Sequence, residues 1–155
     1  AVMTRYLRRS LEIKKPIVEA DEFDQGPRLV MNYGHSFGHA LESATGFAIP
    51  HGIAVTIGMD LANFVAARLG LGDAVHYKRM HATLAMNWRG FESVPVPLDE
   101  FLAALSKDKK NSAKALGLIL PDAAGKVRKV DVPSDEKFRA AVAEHLSKGR
   151  SQELS

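Results

Sequence analysis

Three of the six histidines, His35, His39 and His51, lie in one charge-poor stretch of the sequence. No Asp, Glu, Lys or Arg occurs between Ser43 and Met59, and the chain contains no cysteine. A buried polar group without a partner costs about 1–3 kcal/mol, so imidazoles in such a stretch need a hydrogen bond or a ligand. Because thiolates are excluded, any metal ion here has to be held by histidine and carboxylate.

The spacing of the first two histidines is typical of a shared binding site. His35 and His39 are four residues apart, which places both side chains on one face of a helix. Zinc proteases use this spacing with a Glu directly after the first His, but Ser36 occupies that position here. A catalytic zinc ion normally has three protein ligands. Two of these histidines would therefore not complete such a site, and a third ligand would have to come from Glu42, another histidine or a group outside this chain.

One helix from about Pro27 to Thr45, ended by Gly46, is predicted to position these groups. At about 100° per residue, five polar residues fall on a single stripe of this helix. They are Arg28, Asn32, His35, His39 and Glu42. Gly34 and Gly38 add a flat edge at which another backbone or a ligand can come close. We interpret the stripe as part of a binding site.

The remaining elements predict a mainly α fold of several helices with one small β-hairpin near 114–132. The stretch from His51 to about Leu69 is apolar on almost every side until Asp60, so we expect a buried central helix. Further helices are predicted at 2–15, 73–87, 98–107 and 135–148. Pro16 is expected to end or bend the first of these, and Ser134 to cap the last.

Composition narrows the possible functions. The chain has 155 residues, 46% of them hydrophobic and 25% charged, with a net charge of +3. Dispersed basic residues suit an anionic small molecule, and we expect neither nucleic-acid binding nor a membrane span. We predict a cytoplasmic location.

The remaining three histidines, His76, His81 and His145, have no evident companions of the kind that a binding site needs. They are interpreted as structural or surface residues.

We assign residues 1–148 to one helical domain and 149–155 to a tail. The sequence begins inside a predicted helix, so we expect it to be part of a longer protein.

Several sequence blocks resemble the C-terminal half of 3-dehydroquinate synthase and the related sugar phosphate cyclases. NYGHSFGHALE at 32–42 resembles the N-x-GHTFGHAIE block of that family, and HGIAVTIGM at 51–59 resembles its HGEAV-x-x-GM block. Lys14, Arg28 and the DKKN segment at 108–111 match further family positions. The resemblance spans residues 10–132.

The resemblance implies a two-lobed enzyme. An N-terminal Rossmann-like lobe, absent from this chain, would bind NAD, and the helical C-terminal lobe would supply metal and substrate contacts. Zn2+, or another divalent metal such as Co2+, would be held by His35 and His51, with a Glu of the N-terminal half as third ligand. His39 would contact substrate and handle protons. Further positions that match substrate contacts are Lys14, Arg28, Asn32 and one of Lys109 and Lys110.

The implied reaction is the metal- and NAD-dependent conversion of a phosphorylated sugar acid, with phosphate elimination and closure of a carbocycle. The first choice is the 3-dehydroquinate synthase step of the shikimate pathway, carried out by a homodimer. Ile53 stands where these synthases usually have Glu, which marks either a sister cyclase of the 2-deoxy-scyllo-inosose or valiolone type or a neutral variation. The same pattern is also compatible with the lobe of a metal-dependent polyol dehydrogenase or with an inactive helical module. We expect the isolated chain to be inactive.

Overall fold

The computed structural model describes residues 2–23, 26–107 and 115–149. Within these residues it contains six α-helices and one antiparallel pair of strands, which confirms the mainly α fold with a small hairpin. The helices are α1 (Val2–Ala20), α2 (His35–Ala44), α3 (His51–Arg68), α4 (Ala74–Leu84), α5 (Leu98–Ser106) and α6 (Glu136–Glu144). The strands are β1 (Ala115–Pro121) and β2 (Val127–Pro133). Short 3-10 helices occur at Pro27–Asn32 and Ala85–Asn87, and a π-helical turn at His145–Gly149.

The central position of α3 is confirmed. Eleven of its eighteen residues are buried, and α2, α4, α6 and β1 all pack against it. Ile57, Leu61 and Val65 are fully buried in the core. Each such side chain contributes about 1.5–3 kcal/mol relative to an exposed one. Because α3 is apolar around most of its circumference, it holds the elements on either side of it in place.

The predicted single helix from Pro27 to Thr45 is wrong. The chain forms the 3-10 helix Pro27–Asn32, turns at Tyr33 and Gly34, and only then enters α2. Gly34 has a φ of 79°, in the left-handed region that favours glycine. A Cβ atom there would lie 2.7 Å from the carbonyl oxygen of Val55 in α3. The break therefore follows from close contact with a second helix, which periodicity within one segment does not reveal.

The turn divides the predicted polar stripe in two. His35, His39 and Glu42 share one face of α2, whereas Arg28 and Asn32 belong to the preceding 3-10 helix.

The flat edge predicted beside these residues is confirmed, because a Cβ atom on Gly38 would lie 2.9 Å from the Cα atom of Val55. Here the other backbone is that of α3.

The hairpin follows its prediction closely. Ala115 pairs with Pro133, and the register continues to Pro121 opposite Val127. In the connecting turn, Asp122 accepts hydrogen bonds from the backbone N–H groups of two following residues, as turn-forming Asp residues often do. One strand of the pair, β1, is almost wholly buried and packs on α3.

Two helix boundaries differ from expectation. Asp135, rather than Ser134, caps α6, since its carboxylate accepts the N–H of Phe138 at 2.9 Å. Helix α1 continues past Pro16 to Ala20. Proline leaves the carbonyl four residues earlier without its helical hydrogen bond. That carbonyl belongs to Glu12, which is exposed, so water can take the place of the missing donor.

No residue of α1 is buried. Its charged side carries ion pairs between Arg8 and Glu12 and between Lys15 and Glu19. The other side is apolar and open. The exposed residues on this apolar side are Val2, Met3, Tyr6, Leu7, Leu11 and Ile13.

Among the described residues, no helix is both long and apolar enough to cross a bilayer. The assignment of 1–148 to one domain stays a prediction, and residues 150–155 of the predicted tail lie outside the described residues.

Candidate functional site

The site begins at the N-terminus of α2. The turn at Gly34 makes His35 the first residue of this helix, and His39 and Glu42 follow four and seven positions later. These separations correspond to about one and two helical turns, so the three side chains leave the helix on one side.

A tight loop brings His51 to the same side. Gly46 adopts a φ of 57° just after α2, and the N–H of Phe47 donates to the carbonyl of Glu42 at 2.8 Å. Together with the bond from Gly46 N–H to the Ser43 carbonyl, this is a Schellman motif, which ends a helix and reverses the chain. The predicted stop at Gly46 is confirmed. The chain then enters α3 directly at His51.

The three imidazoles form a nearly equilateral group. Ring centroids are 5.8 Å apart for His35 and His39, 5.9 Å for His35 and His51, and 5.7 Å for His39 and His51. The rings of His39 and His51 are roughly parallel, with an interplanar angle of 23°. The structure thus brings together all three histidines that the sequence singles out.

Two of these rings are held through Nδ1. The Nδ1 of His51 lies 3.1 Å from Oε2 of Glu42, and the Nδ1 of His35 lies 3.4 Å from the backbone oxygen of Tyr33. Both oxygens are acceptors, so Nδ1 is the protonated nitrogen in each neutral ring and Nε2 is left for a ligand. A metal-bound histidine commonly has this arrangement.

Burial lowers the pKa of His35, against the opposing hydrogen bond to Tyr33, and the nearby rings of His39 and His51 lower it further. The neutral ring is the form that binds a metal ion.

The ring of His39 differs from those of His35 and His51. It is exposed, and across 2–23, 26–107 and 115–149 no hydrogen bond holds it. Ligand atoms of His39, Glu42 and His51 nevertheless lie within 4.8 Å of one another. The donors in this cluster are imidazole nitrogens and one carboxylate, a set that fits Zn2+ or Co2+. His35 with His51, and His39 with Glu42 and His51, are therefore two overlapping ways to hold a cation.

The remaining predicted site residues are placed less centrally. Arg28 is half-buried and donates from Nη1 to the carbonyl of Glu22 at 2.8 Å. Asn32 is half-buried at the end of the 3-10 helix. Lys14 is exposed on α1, and in the described part of the chain no hydrogen bond or ion pair joins it to the histidines. Lys109 and Lys110 lie outside the described residues.

A second histidine cluster was missed by sequence reasoning. His81 and His145 are buried, and both bond to the same oxygen of Asp60. The distances are 2.9 Å from His81 Nδ1 and 2.7 Å from His145 Nε2. The view that these two histidines lack companions is therefore wrong. They are 21 and 85 residues from Asp60 in sequence, so no local pattern links them. The sole signal in the sequence was a lone acid in an otherwise apolar helix.

A second polar contact joins α3 to the turn before α2. The hydroxyl of Tyr33 donates to Oδ1 of Asn63 at 2.5 Å. Burial raises the pKa of Tyr33 to about 12, so the phenol keeps the proton that it donates. Asn63 lies one helical turn after Asp60 on α3, and Tyr33 is the residue whose carbonyl faces His35.

The family profile described as "3-dehydroquinate synthase C-terminal" matches residues 1–111. A 3-dehydroquinate synthase from Synechocystis sp. is 38% identical over 143 residues, which are 91% of this chain and 40% of that protein. One from Dictyoglomus thermophilum is 37% identical over 84% of this chain and 37% of its own length. The chain thus spans about two fifths of the curated relatives that it matches.

Solved structures of sugar phosphate cyclases share the fold. A 2-epi-5-epi-valiolone synthase from Streptomyces hygroscopicus with NAD+ and Zn2+ bound gives a TM-score of 0.70 at 24% identity, covering 92% of this chain and 39% of that one. A 2-deoxy-scyllo-inosose synthase complexed with carbaglucose-6-phosphate, NAD+ and Co2+ gives 0.63 at 24% identity, over 80% of this chain and 36% of that one. Because the family profile covers well over half of its residues, the chain belongs to the 3-dehydroquinate synthase family, whose C-terminal domain it matches.

Proposed function

We propose that this chain is the metal- and substrate-binding lobe of a 3-dehydroquinate synthase, which eliminates phosphate from a sugar acid and closes a carbocycle. The observation that carries the proposal is the group of three histidines at 5.7–5.9 Å, with two rings held through Nδ1. The curated relatives named above are 3-dehydroquinate synthases and support the same reaction.

In this proposal His35 and His51 hold a divalent cation, Zn2+ or Co2+. A carboxylate from the N-terminal lobe completes the set, since a catalytic zinc normally has three protein ligands and one open position. When bound, the cation polarises an oxygen of the substrate.

His39 lies beside both proposed ligands and has no protein acceptor or donor for its ring among the described residues. An imidazole can both accept and donate a proton. We therefore assign to His39 proton transfer and contact with the substrate.

Cationic and amide groups bind the acidic substrate. Arg28 presents five N–H donors in a planar fork, of which the bond to Glu22 uses one, and the others can hold a carboxylate or phosphate. Asn32, Lys14 and one of Lys109 and Lys110 are proposed as further contacts. The cations favour a phosphorylated acid over the neutral substrate of a polyol dehydrogenase.

The proposed N-terminal lobe binds NAD, which when present accepts a hydride from the substrate and returns it.

We propose that this lobe covers the apolar side of α1. At about 100° per residue, Lys14 projects within roughly 20° of both Met3 and Leu7. Lys14 is thus the single cation on the apolar side of α1. A lobe packed against that side would enclose the Lys14 ammonium between the two lobes. The homodimeric state and the cytoplasmic location both remain predictions.

A sister cyclase is the second candidate, and Ile53 is the residue that favours it. Its side chain is half-buried and packs against the core, so the acid found there in 3-dehydroquinate synthases is replaced by a packing residue beside His51.

The test is phosphate release by the full-length protein with NAD and Zn2+. The phosphorylated sugar acid that precedes 3-dehydroquinate is compared with the sugar phosphates of the sister cyclases and with glycerol. Release from the sugar acid alone is the expected result. Oxidation of glycerol without phosphate release would overturn the proposal, and turnover only of a sugar phosphate that lacks a carboxylate would select the sister cyclase.

A further inference from the structure

We propose that Glu42 is a positioning residue for the metal centre: its carboxylate accepts the Nδ1–H of His51 and thereby directs Nε2 of that ring to the cation. This inference rests on the proposed function in one respect, because it takes His51 as a metal ligand. In this role Glu42 binds neither the cation nor the substrate.

Glu42 is the fixed member of the pair. Its side chain is 12% exposed, whereas that of His51 is 56% exposed. An exposed imidazole at the start of a helix can rotate about its two side-chain bonds, so its orientation depends on the partner that holds it. The distance of 3.1 Å between Oε2 and Nδ1 is that of a hydrogen bond.

The backbone of Glu42 fixes the same geometry. Its carbonyl accepts the N–H of Phe47 in the Schellman motif, and the loop that follows leads directly into His51. Backbone and side chain of Glu42 thus both hold the short connection between α2 and α3. The residue that holds the His51 ring therefore also accepts the backbone hydrogen bond that closes the C-terminal turn of α2.

A direct ligand role for Glu42 conflicts with this bond. Nδ1 and Nε2 lie on opposite edges of the imidazole, and a cation sits about 2.1 Å from the nitrogen that it binds. A cation at Nε2 is therefore out of reach of the oxygen that accepts the Nδ1 proton. The set of His39, Glu42 and His51 could hold a cation only if the bond between Glu42 and His51 were broken.

Comparison of the three histidines supports this assignment. His35 is held through Nδ1 by a backbone carbonyl, and His39 has no such partner within the described ranges. His51 is the ring held by a side chain, so its orientation is the one that a substitution can release.

The first measurement is the tautomer of His51 in the full-length, metal-free protein, read from 15N chemical shifts of labelled histidine. It is made near pH 8, above the ordinary histidine pKa of about 6.5. We expect the Nδ1–H tautomer in the wild type and a mixture of tautomers in Glu42→Ala, with Glu42→Gln intermediate because its amide oxygen still accepts. An unchanged tautomer in Glu42→Ala would overturn the proposal.

The second measurement is the affinity for Co2+, followed by its visible absorption. Loss of a partner that orients a metal ligand typically weakens metal binding by about 10–100-fold. We expect losses in this range for Glu42→Ala, with a smaller loss for Glu42→Gln. Glu144→Gln is the matched control, because it makes the same change at a carboxylate that pairs with Arg68. We expect its Co2+ affinity to equal that of the wild type. Complete loss of the Co2+ spectrum in Glu42→Gln would identify Glu42 as a ligand and overturn the proposal.

His51→Ala separates the two proposals. Unchanged Co2+ affinity in His51→Ala would refute the proposed ligand set itself. Weak binding in His51→Ala together with wild-type affinity in both Glu42 variants would refute only the role of Glu42.

Discussion

A Cβ atom on Gly58 would lie 2.2 Å from the carbonyl oxygen of Gly34, so α3 and the turn before α2 meet backbone to backbone. The same Cβ would lie 2.8 Å from the backbone nitrogen of Gly38. This approach places the N-terminus of α2, with His35, directly against α3. The geometry of the histidine group therefore depends on three glycines that carry no chemistry themselves.

Gly58→Ala is expected to destabilise the protein, because α2 and α3 must separate to admit the methyl group. Overpacking a tight interior costs about 1–3 kcal/mol, and the contact here is with backbone, which yields less than a side chain. Urea denaturation followed by circular dichroism measures the loss.

Gly52→Ala is the control on the same helix. A Cβ atom on Gly52 meets nothing within 4 Å, and Ala is favoured over Gly in a helix by up to about 1 kcal/mol. Equal or raised stability is expected. A Gly58→Ala protein as stable as Gly52→Ala would contradict the close packing of α2 on α3.

The histidine site was largely predictable from the sequence, but its supports were not. The spacing of His35 and His39 gave a shared helical face, and the charge-poor stretch marked His51. The bond between Glu42 and His51 requires the chain to reverse within a few residues, and that reversal depends on the left-handed Gly46. A helix stop at Gly46 was predicted, but the direction of the chain after it was not.

Longer-range relationships left no pattern in the sequence. Polar residues repeat at helical spacing across the turn at Gly34, so periodicity predicts one helix where contact with α3 imposes two. Asp60 meets His81 and His145 because three separate elements pack together. Local spacing carries no information about either contact.

Replacement of each site histidine by Ala is expected to separate metal binding from proton transfer. In the full-length protein, His35→Ala and His51→Ala should lose the metal, because each removes a ligand. His39→Ala should keep the metal and lose about 10²–10⁴-fold in rate, the usual contribution of general acid–base catalysis. Metal content after dialysis and initial rates of phosphate release provide the two readings. Equal metal loss in all three variants would refute this separation of roles, whereas loss in His39→Ala and His51→Ala but not in His35→Ala would favour the set of His39, Glu42 and His51.

The apolar side of α1 predicts that one substitution will affect the stability of the full-length protein and of the isolated 155-residue chain differently. Leu7→Glu should destabilise the full-length protein, since burying a leucine contributes about 1.5–3 kcal/mol. It should leave the 155-residue chain unchanged, because Leu7 is exposed there. Thermal melting of both lengths makes the comparison. Glu12→Gln, on the charged side of α1, is the control and should have little effect in either. Equal destabilisation of both lengths by Leu7→Glu would exclude a covering lobe.

The buried Asp60 cluster predicts a pH-dependent stability. Burial by itself raises the pKa of Asp60, but hydrogen bonds from His145 and His81 outweigh it and leave that pKa below its ordinary value. A carboxylate with a lowered folded-state pKa stabilises the protein at pH values above its unfolded pKa, about 3.9. The contribution is lost as the pH falls through the folded-state value.

Asp60→Asn is therefore expected to reduce the free energy of unfolding by about 3 kcal/mol or more near neutral pH, since it removes one partner of a buried charged group. The difference from the wild type should stay near this size down to about pH 4 and shrink below it as Asp60 of the wild type becomes protonated. Urea denaturation at several pH values provides the measurement. Asp99→Asn makes the same change at an exposed carboxylate paired with Arg139 and should alter stability little. A constant difference between Asp60→Asn and the wild type through the acid range would show that the charge of Asp60 does not stabilise the packing of α4 and the C-terminal turn on α3.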